Sequence, residues 1–75
     1  MKILNEFINK RPGNDCLITT GIMLIEVERD FYIVVSTEKF FGSWTGNAIE
    51  TNSESFNDYN KALSRYNHLV KINDR

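Results

Sequence analysis

CLITTGIMLIEVERDFYIVVST, residues 16–37, is a long run rich in β-branched and aromatic residues. Such side chains suit the pleated, half-buried surface of a sheet, so the run predicts strands. Gly21 interrupts it, either as a bulge or as a turn between strands, which gives strands at 16–20 and 22–28. A hairpin then pairs 22–28 with 31–37 around Arg29-Asp30. Arg-Asp lacks the Asn-Gly signature of a tight primed turn, so a wider loop is the alternative. In the two-residue register Val27 faces Tyr32 and Ile25 faces Val34. Met23, Ile25 and Val27 then share one face with Tyr32 and Val34, while Ile22, Leu24, Phe31, Ile33 and Val35 line the other. Both faces are apolar at the centre, whereas a half-exposed sheet alternates more cleanly. Something is expected to cover the second face.

Before this hairpin, residues 2–10 place Ile3, Leu4, Phe7 and Ile8 on one side of a helical wheel, the spacing of a short amphipathic helix. Arg11-Pro12 stops it, because the residue before proline is pushed out of the helical region. After the hairpin, residues 38–47 (EKFFGSWTGN) hold three aromatics and two glycines and read as a loop. Residues 47–51 are a short strand candidate. Thr51, Ser53 and Ser55 compete to cap a helix over about 54–71, with Glu54 and Asp58 three residues after the first and the last. On that helix Phe56, Tyr59, Ala62, Leu63, Tyr66, Leu69 and Val70 share one face. The expected fold is one small α+β domain over residues 1–75, in the order α-β-β-β-α. Its antiparallel meander has three strands, or four if 47–51 joins, and packs on the C-terminal helix.

Size and composition narrow the function. A chain of 75 residues buries only roughly 60% of its unfolded surface, so its core is small. Cys16 is the sole cysteine, which excludes an internal disulfide, and with His68 it is the only soft metal ligand. No metal or cofactor is expected. Hydrophobic residues make up 41% and charged residues 25%, with a net charge of −1, which argues against a dedicated basic nucleic-acid binder. The N-terminal stretch has no long apolar run and carries Glu6, and no segment approaches a membrane span. A cytoplasmic chain without membrane contact is the expectation.

No catalytic motif stands out. Gly42-Ser43-Trp44-Thr45-Gly46 lacks the spacing and the lysine of a phosphate-binding loop. Nucleophilic catalysis needs a nucleophile beside a positioned base, and nothing in the sequence brings Cys16 and His68 together. Cys16 reads as a small buried hydrophobe and His68 as a solvated residue near a helix end. The chain is therefore expected not to be an enzyme. Two surfaces remain. Glu26, Glu28, Asp30 and Glu38 cluster along the hairpin and just after it, beside Phe40, Phe41 and Trp44. An acidic surface with exposed aromatics suits a basic protein partner. Adjacent Phe40 and Phe41 point to opposite faces in an extended chain, and at least one of Phe41 and Trp44 is expected to complete the core. On the last helix Lys61, Arg65, His68 and Lys71 fall within a third of the wheel and could lie along phosphates, the nucleic-acid alternative.

Nine asparagines and eight isoleucines give the bias of an AT-rich gene, as in many low-GC bacteria and their phages. In length, asparagine content and lack of catalytic residues the chain resembles the small inhibitors that phages and mobile elements encode, anti-CRISPR and other anti-defence proteins among them. That resemblance implies a host protein as partner and a mode of action by occlusion, and it carries over no individual residue. A homodimer whose sheet faces or edges pair is the third expectation.

Overall fold

The computed structural model describes residues 1–13, 16–42 and 46–74. Four strands, β1 (Lys2–Pro12), β2 (Cys16–Glu28), β3 (Phe31–Gly42) and β4 (Gly46–Phe56), precede one helix, α1 (Tyr59–Asn73). The strands form a single antiparallel sheet in the order β1-β2-β3-β4, and α1 packs across one face. The α+β character and the meander agree with expectation, but several elements do not.

Residues 2–12 are a strand rather than a helix. Ile3-Leu4 and Phe7-Ile8 would sit side by side on a helical wheel, whereas an extended chain sends neighbours to opposite faces. Phe7 pairs with Ile22 on the helix-covered side, and Ile8 pairs with Gly21 on the other, where it is exposed. Leu4 is the extra residue of a bulge between Ile3 and Asn5, and it reaches the core. A two-turn helix is dominated by its nucleation cost. The edge of β2 instead offers a row of unpaired backbone groups that β1 satisfies.

β2 runs unbroken through Gly21, so 16–20 and 22–28 are one strand. The Arg29-Asp30 turn is where it was expected, closed by the pair Glu28↔Phe31, with Asp30 in the left-handed region at φ 58°. Asp tolerates that conformation better than most residues. The register before the turn is different, however, because a bulge between Glu26 and Glu28 leaves Val27 without a partner. Tyr32 therefore faces Glu26 rather than Val27. One residue of slip exchanges the two faces of a strand. Ile22 and Leu24 join Tyr32 and Val34 beneath the helix, and Met23 and Ile25 join Ile33 and Val35 on the opposite side.

β3 continues to Gly42 and β4 spans 46–56, well beyond 31–37 and 47–51. Thr51, Ser53 and Ser55 thus lie on a strand, and the cap is Asp58, whose carboxylate accepts the Asn60 N–H at 3.0 Å. The helix begins at Tyr59 rather than near residue 54. Its buried face is as expected from Ala62 onward: Ala62 and Tyr66 are buried, and Leu63, Leu69 and Val70 pack beside them. Fifteen residues of helix span about 22 Å, which matches the roughly 20 Å of β3 from Tyr32 to Glu38. At the far end Asn9 Nδ2 donates to the Asn73 carbonyl at 2.7 Å and ties the helix C-terminus to β1.

The core comprises Ile22, Leu24, Tyr32, Val34, Ala62 and Tyr66. Leu24→Ala is expected to lower unfolding free energy by about 2–5 kcal/mol in denaturant titration, because Leu24 is fully buried. Ile72→Ala, on an exposed helix position, should change it by less than about 1 kcal/mol. Thr20 is also buried, and its Oγ1 has no hydrogen-bond partner among the described residues. Thr20→Val keeps the shape and removes the unpaired hydroxyl, so it should stabilise the fold by about 1 kcal/mol, a rise of about 4–8 °C in Tm. A fall in Tm would mean that the hydroxyl is satisfied after all.

Candidate functional site

β3 carries the chain from one end of an elongated molecule, 44 Å in its longest dimension, to the other. The acidic and aromatic candidates therefore do not form one surface. Glu26, Glu28 and Asp30 stay together at the β2–β3 turn. Phe40 and Phe41 lie on β3 about 30 Å away, taking roughly 3.3 Å per residue, in a strand rather than in a loop. Phe40 pairs with Ile18 on the helix side of the sheet, and Phe41 pairs with Leu17 on the opposite side, where it is 44% exposed. Phe41 does not complete the helix-covered core. Trp44 lies outside the described residues.

Glu38 also leaves the acidic cluster. It sits opposite Thr20 on one side and Glu50 on the other, near the helix C-terminus. Together with Ser36, Asn52, Leu69 and Asn73 these residues line a cavity of about 230 Å³. A second depression, shared by Ser36, Asn52 and Leu69, continues along Val34, Ser53, Glu54 and Arg65. Both exist because one helix, about 10 Å wide, cannot also cover β4. Glu50, Asn52 and Glu54 of β4 face these depressions, and among the described residues of that strand only Phe56, at its end, reaches the core.

The acidic end gains two residues that the sequence reading missed. Tyr59, at the start of α1, packs in a tilted arrangement against Tyr32, with ring centroids 5.6 Å apart and an interplanar angle of 59°. Asp58, the helix cap, lies beside them. Tyr32 is nearly buried, whereas Tyr59 is 41% exposed. Burial, foremost, and then the charges of Glu26 and Asp30, with Tyr59 and Asp58 behind them, push the Tyr32 phenol above its ordinary value of 10.0. Glu26, Asp30 and Asp58 thus surround an aromatic pair, with Glu28 opposite Phe31 at the same turn. Lys2, opposite Glu26, and Arg29 are nearby cations. The signal for Tyr59 was present as an apolar position on the helix wheel. Its place at the tip depended on where the helix started.

On the exposed side of α1, Lys61, Arg65 and His68 surround a shallow basin of about 570 Å³ with Phe56, Asn60 and Ser64. Lys71 is exposed one turn further on. Arg65 is already engaged, its Nε donating to Glu54 Oε1 at 2.9 Å and its Nη2 lying 2.8 Å from the same oxygen. Cys16 is half-buried opposite Gly42, and His68 is exposed on the helix. The fold does not bring the two together. Among the described residues no group of three His, Cys, Asp or Glu side chains is placed to hold a metal ion. No helix among them is long and apolar enough to cross a membrane.

The face of the sheet away from α1 has no covering element among the described residues. Met23, Ile25, Ile33 and Val35 form its apolar part toward the acidic turn, with Ile3 and Ile8 exposed on β1 and Ile49 exposed on β4. Comparisons with protein-family models, with curated proteins and with solved structures find no match.

Tyr66 joins Tyr32 in having a raised phenol, by burial first and by Glu6 second. The neutral phenol is the form that the fold favours. These two side chains therefore add stability that is complete below pH 10 and disappears as pH rises through their raised folded values. Thermal unfolding should show Tm falling steeply above pH 10, and Tyr32→Phe should flatten that fall. An absorbance titration should find tyrosinate forming in the folded chain later than in the unfolded one.

Proposed function

We propose that the chain is a non-enzymatic protein-binding module that docks its acidic end on a basic surface of a partner. The observation that carries this reading is the convergence of Glu26, Asp30 and Asp58 on the Tyr32–Tyr59 pair. An exposed aromatic ringed by charge of one sign combines an anchor with long-range steering. Charges at the tip speed encounter with an oppositely charged surface, and the Tyr59 ring supplies contact area once docked. Tyr32 beneath it is held in the core, so the anchor is pre-organised and little side-chain entropy is lost on binding.

A basic surface of this kind is what proteins that handle nucleic acid present. Together with the resemblance to small phage-encoded inhibitors, this supports a host nucleic-acid-handling protein as the target, blocked by occlusion. The nucleic-acid alternative is weaker, because Arg65, at the centre of the basic helix face, is paired with Glu54.

Immobilised protein should retain a bacterial partner from lysate, with retention falling as salt rises. Glu26→Gln/Glu28→Gln/Asp30→Asn should lose that partner at unchanged Tm, and Tyr59→Ala should weaken it. Retention by the triple variant at wild-type strength would overturn this reading. Binding of a DNA duplex at low salt, lost on Lys61→Ala/Lys71→Ala, would favour the alternative.

A further inference from the structure

The strand register arranges the uncovered face of the four strands in five rows beyond the turn pair Glu28–Phe31. Ile3, Ile25, Ile33 and Ser55 share the first row, followed by Glu6, Met23, Val35 and Ser53. The middle row is Ile8, Gly21, Thr37 and Thr51. Next come Lys10, Thr19, Lys39 and Ile49, and last Pro12, Leu17, Phe41 and Asn47. Along β1–β3 the face is therefore apolar at both ends, and β4 adds three hydroxyl side chains and the exposed Ile49. On β1 an acid, Glu6, and a base, Lys10, stand symmetrically about Ile8.

We infer that this face is the interface of a homodimer, in which a two-fold axis runs across the strands along the Gly21 row. Such an axis lays each strand over its own copy in the opposite direction, within the range that aligned sheet packing allows. The Ile25 and Ile33 row then meets the Leu17 and Phe41 row of the second copy. Glu6 meets Lys10 of the second copy, and Lys10 meets its Glu6, so each charge on β1 finds the opposite sign. Lys39 lies over Val35 of the second copy, where its aliphatic stem covers apolar surface and its ammonium extends over Ser53 of that copy's β4 toward the sheet edge. Gly21 sits at the axis. A Cβ built there would have no atom within 4 Å, so the face is open at its centre and the neighbouring Ile8 side chains of the two copies can fill the space.

Size supports a second copy as the occupant. Four strands of 11 to 13 residues present a face of about 19 by 40 Å, roughly 760 Å², against about 800 Å² per partner in a standard stable interface. The chain exposes 5412 Å², whereas a compact monomer of 8.7 kDa exposes about 4,700 Å². The excess, about 700 Å², is close to what one such interface would remove. Self-complementarity of one patch is what an isologous dimer requires. The arrangement does not depend on what the acidic end binds. It leaves that end free on both copies, at opposite ends of the dimer.

Sedimentation equilibrium over a range of concentrations tests this directly. The expected mass is twice 8.7 kDa. Gly21→Glu, which the isolated chain accommodates, should sediment as a monomer with its circular dichroism unchanged. Glu6→Lys and Lys10→Glu should each raise the dimer Kd about tenfold, since each loses two symmetry-related pairs. Glu6→Lys combined with Lys10→Glu should restore the wild-type Kd. A monomer of 8.7 kDa at the highest concentration attainable would overturn the dimer. A dimer that survives Gly21→Glu, or single and double charge variants with equal Kd, would overturn this interface and axis. Failure of these tests leaves the acidic-end reading standing, because that reading is scored on the Glu26, Glu28 and Asp30 variant.

Discussion

One helix can cover only one face of a four-stranded sheet, and about half its width at that. α1 is roughly 10 Å across, while four strands at about 4.8 Å spacing form a layer about 19 Å wide, roughly twice that. β2 and β3 receive the helix and supply Ile22, Leu24, Tyr32 and Val34 to the core. Among the described residues, β4 faces a groove with Glu50, Asn52 and Glu54, only Phe56 reaching the core, and the far side of the sheet has no covering element. The distribution of exposed surface in this small chain follows from that mismatch of widths.

Toward the acidic turn, β2 and β3 carry on the uncovered face the side chains of an interior. Met23, Ile25, Ile33 and Val35 are no less apolar than the four side chains beneath the helix, and in an antiparallel sheet that usually faces water on one side such symmetry is uncommon. A chain this short gains much by burying a second layer, since its own core holds six buried hydrophobic side chains among the described residues. The acidic end is a separate matter of charge. It is built where the β2–β3 turn and the start of α1 meet, and it gathers carboxylates from both around two tyrosines packed at a tilt.

Much of the outline was legible in the residues. The β-rich run at 16–37, the turn at Arg29-Asp30 and the apolar stripe from Ala62 to Val70 all stand where their patterns put them. So does the requirement that Phe40 and Phe41 point to opposite sides. The acidic candidates were only partly legible, because Glu38 looks adjacent to the hairpin in sequence but lies six residues along β3 from Tyr32. Nothing local shows that β3 runs on through Glu38 and the two phenylalanines to Gly42.

The sequence by itself determined periodicity, and with it which residues could share a face once an element was chosen. Only the tertiary structure decided the choice for residues 2–12, where Ile3, Leu4, Phe7 and Ile8 satisfy a short helix or a bulged strand equally well. The deciding term is the row of backbone donors and acceptors along β2, which a strand pairs and a helix would leave open. Likewise, a single bulge at Val27 decided which apolar face of β2 meets the helix. Both faces can fill a core, so side-chain hydrophobicity alone could not separate them, and the register of the backbone ladder did.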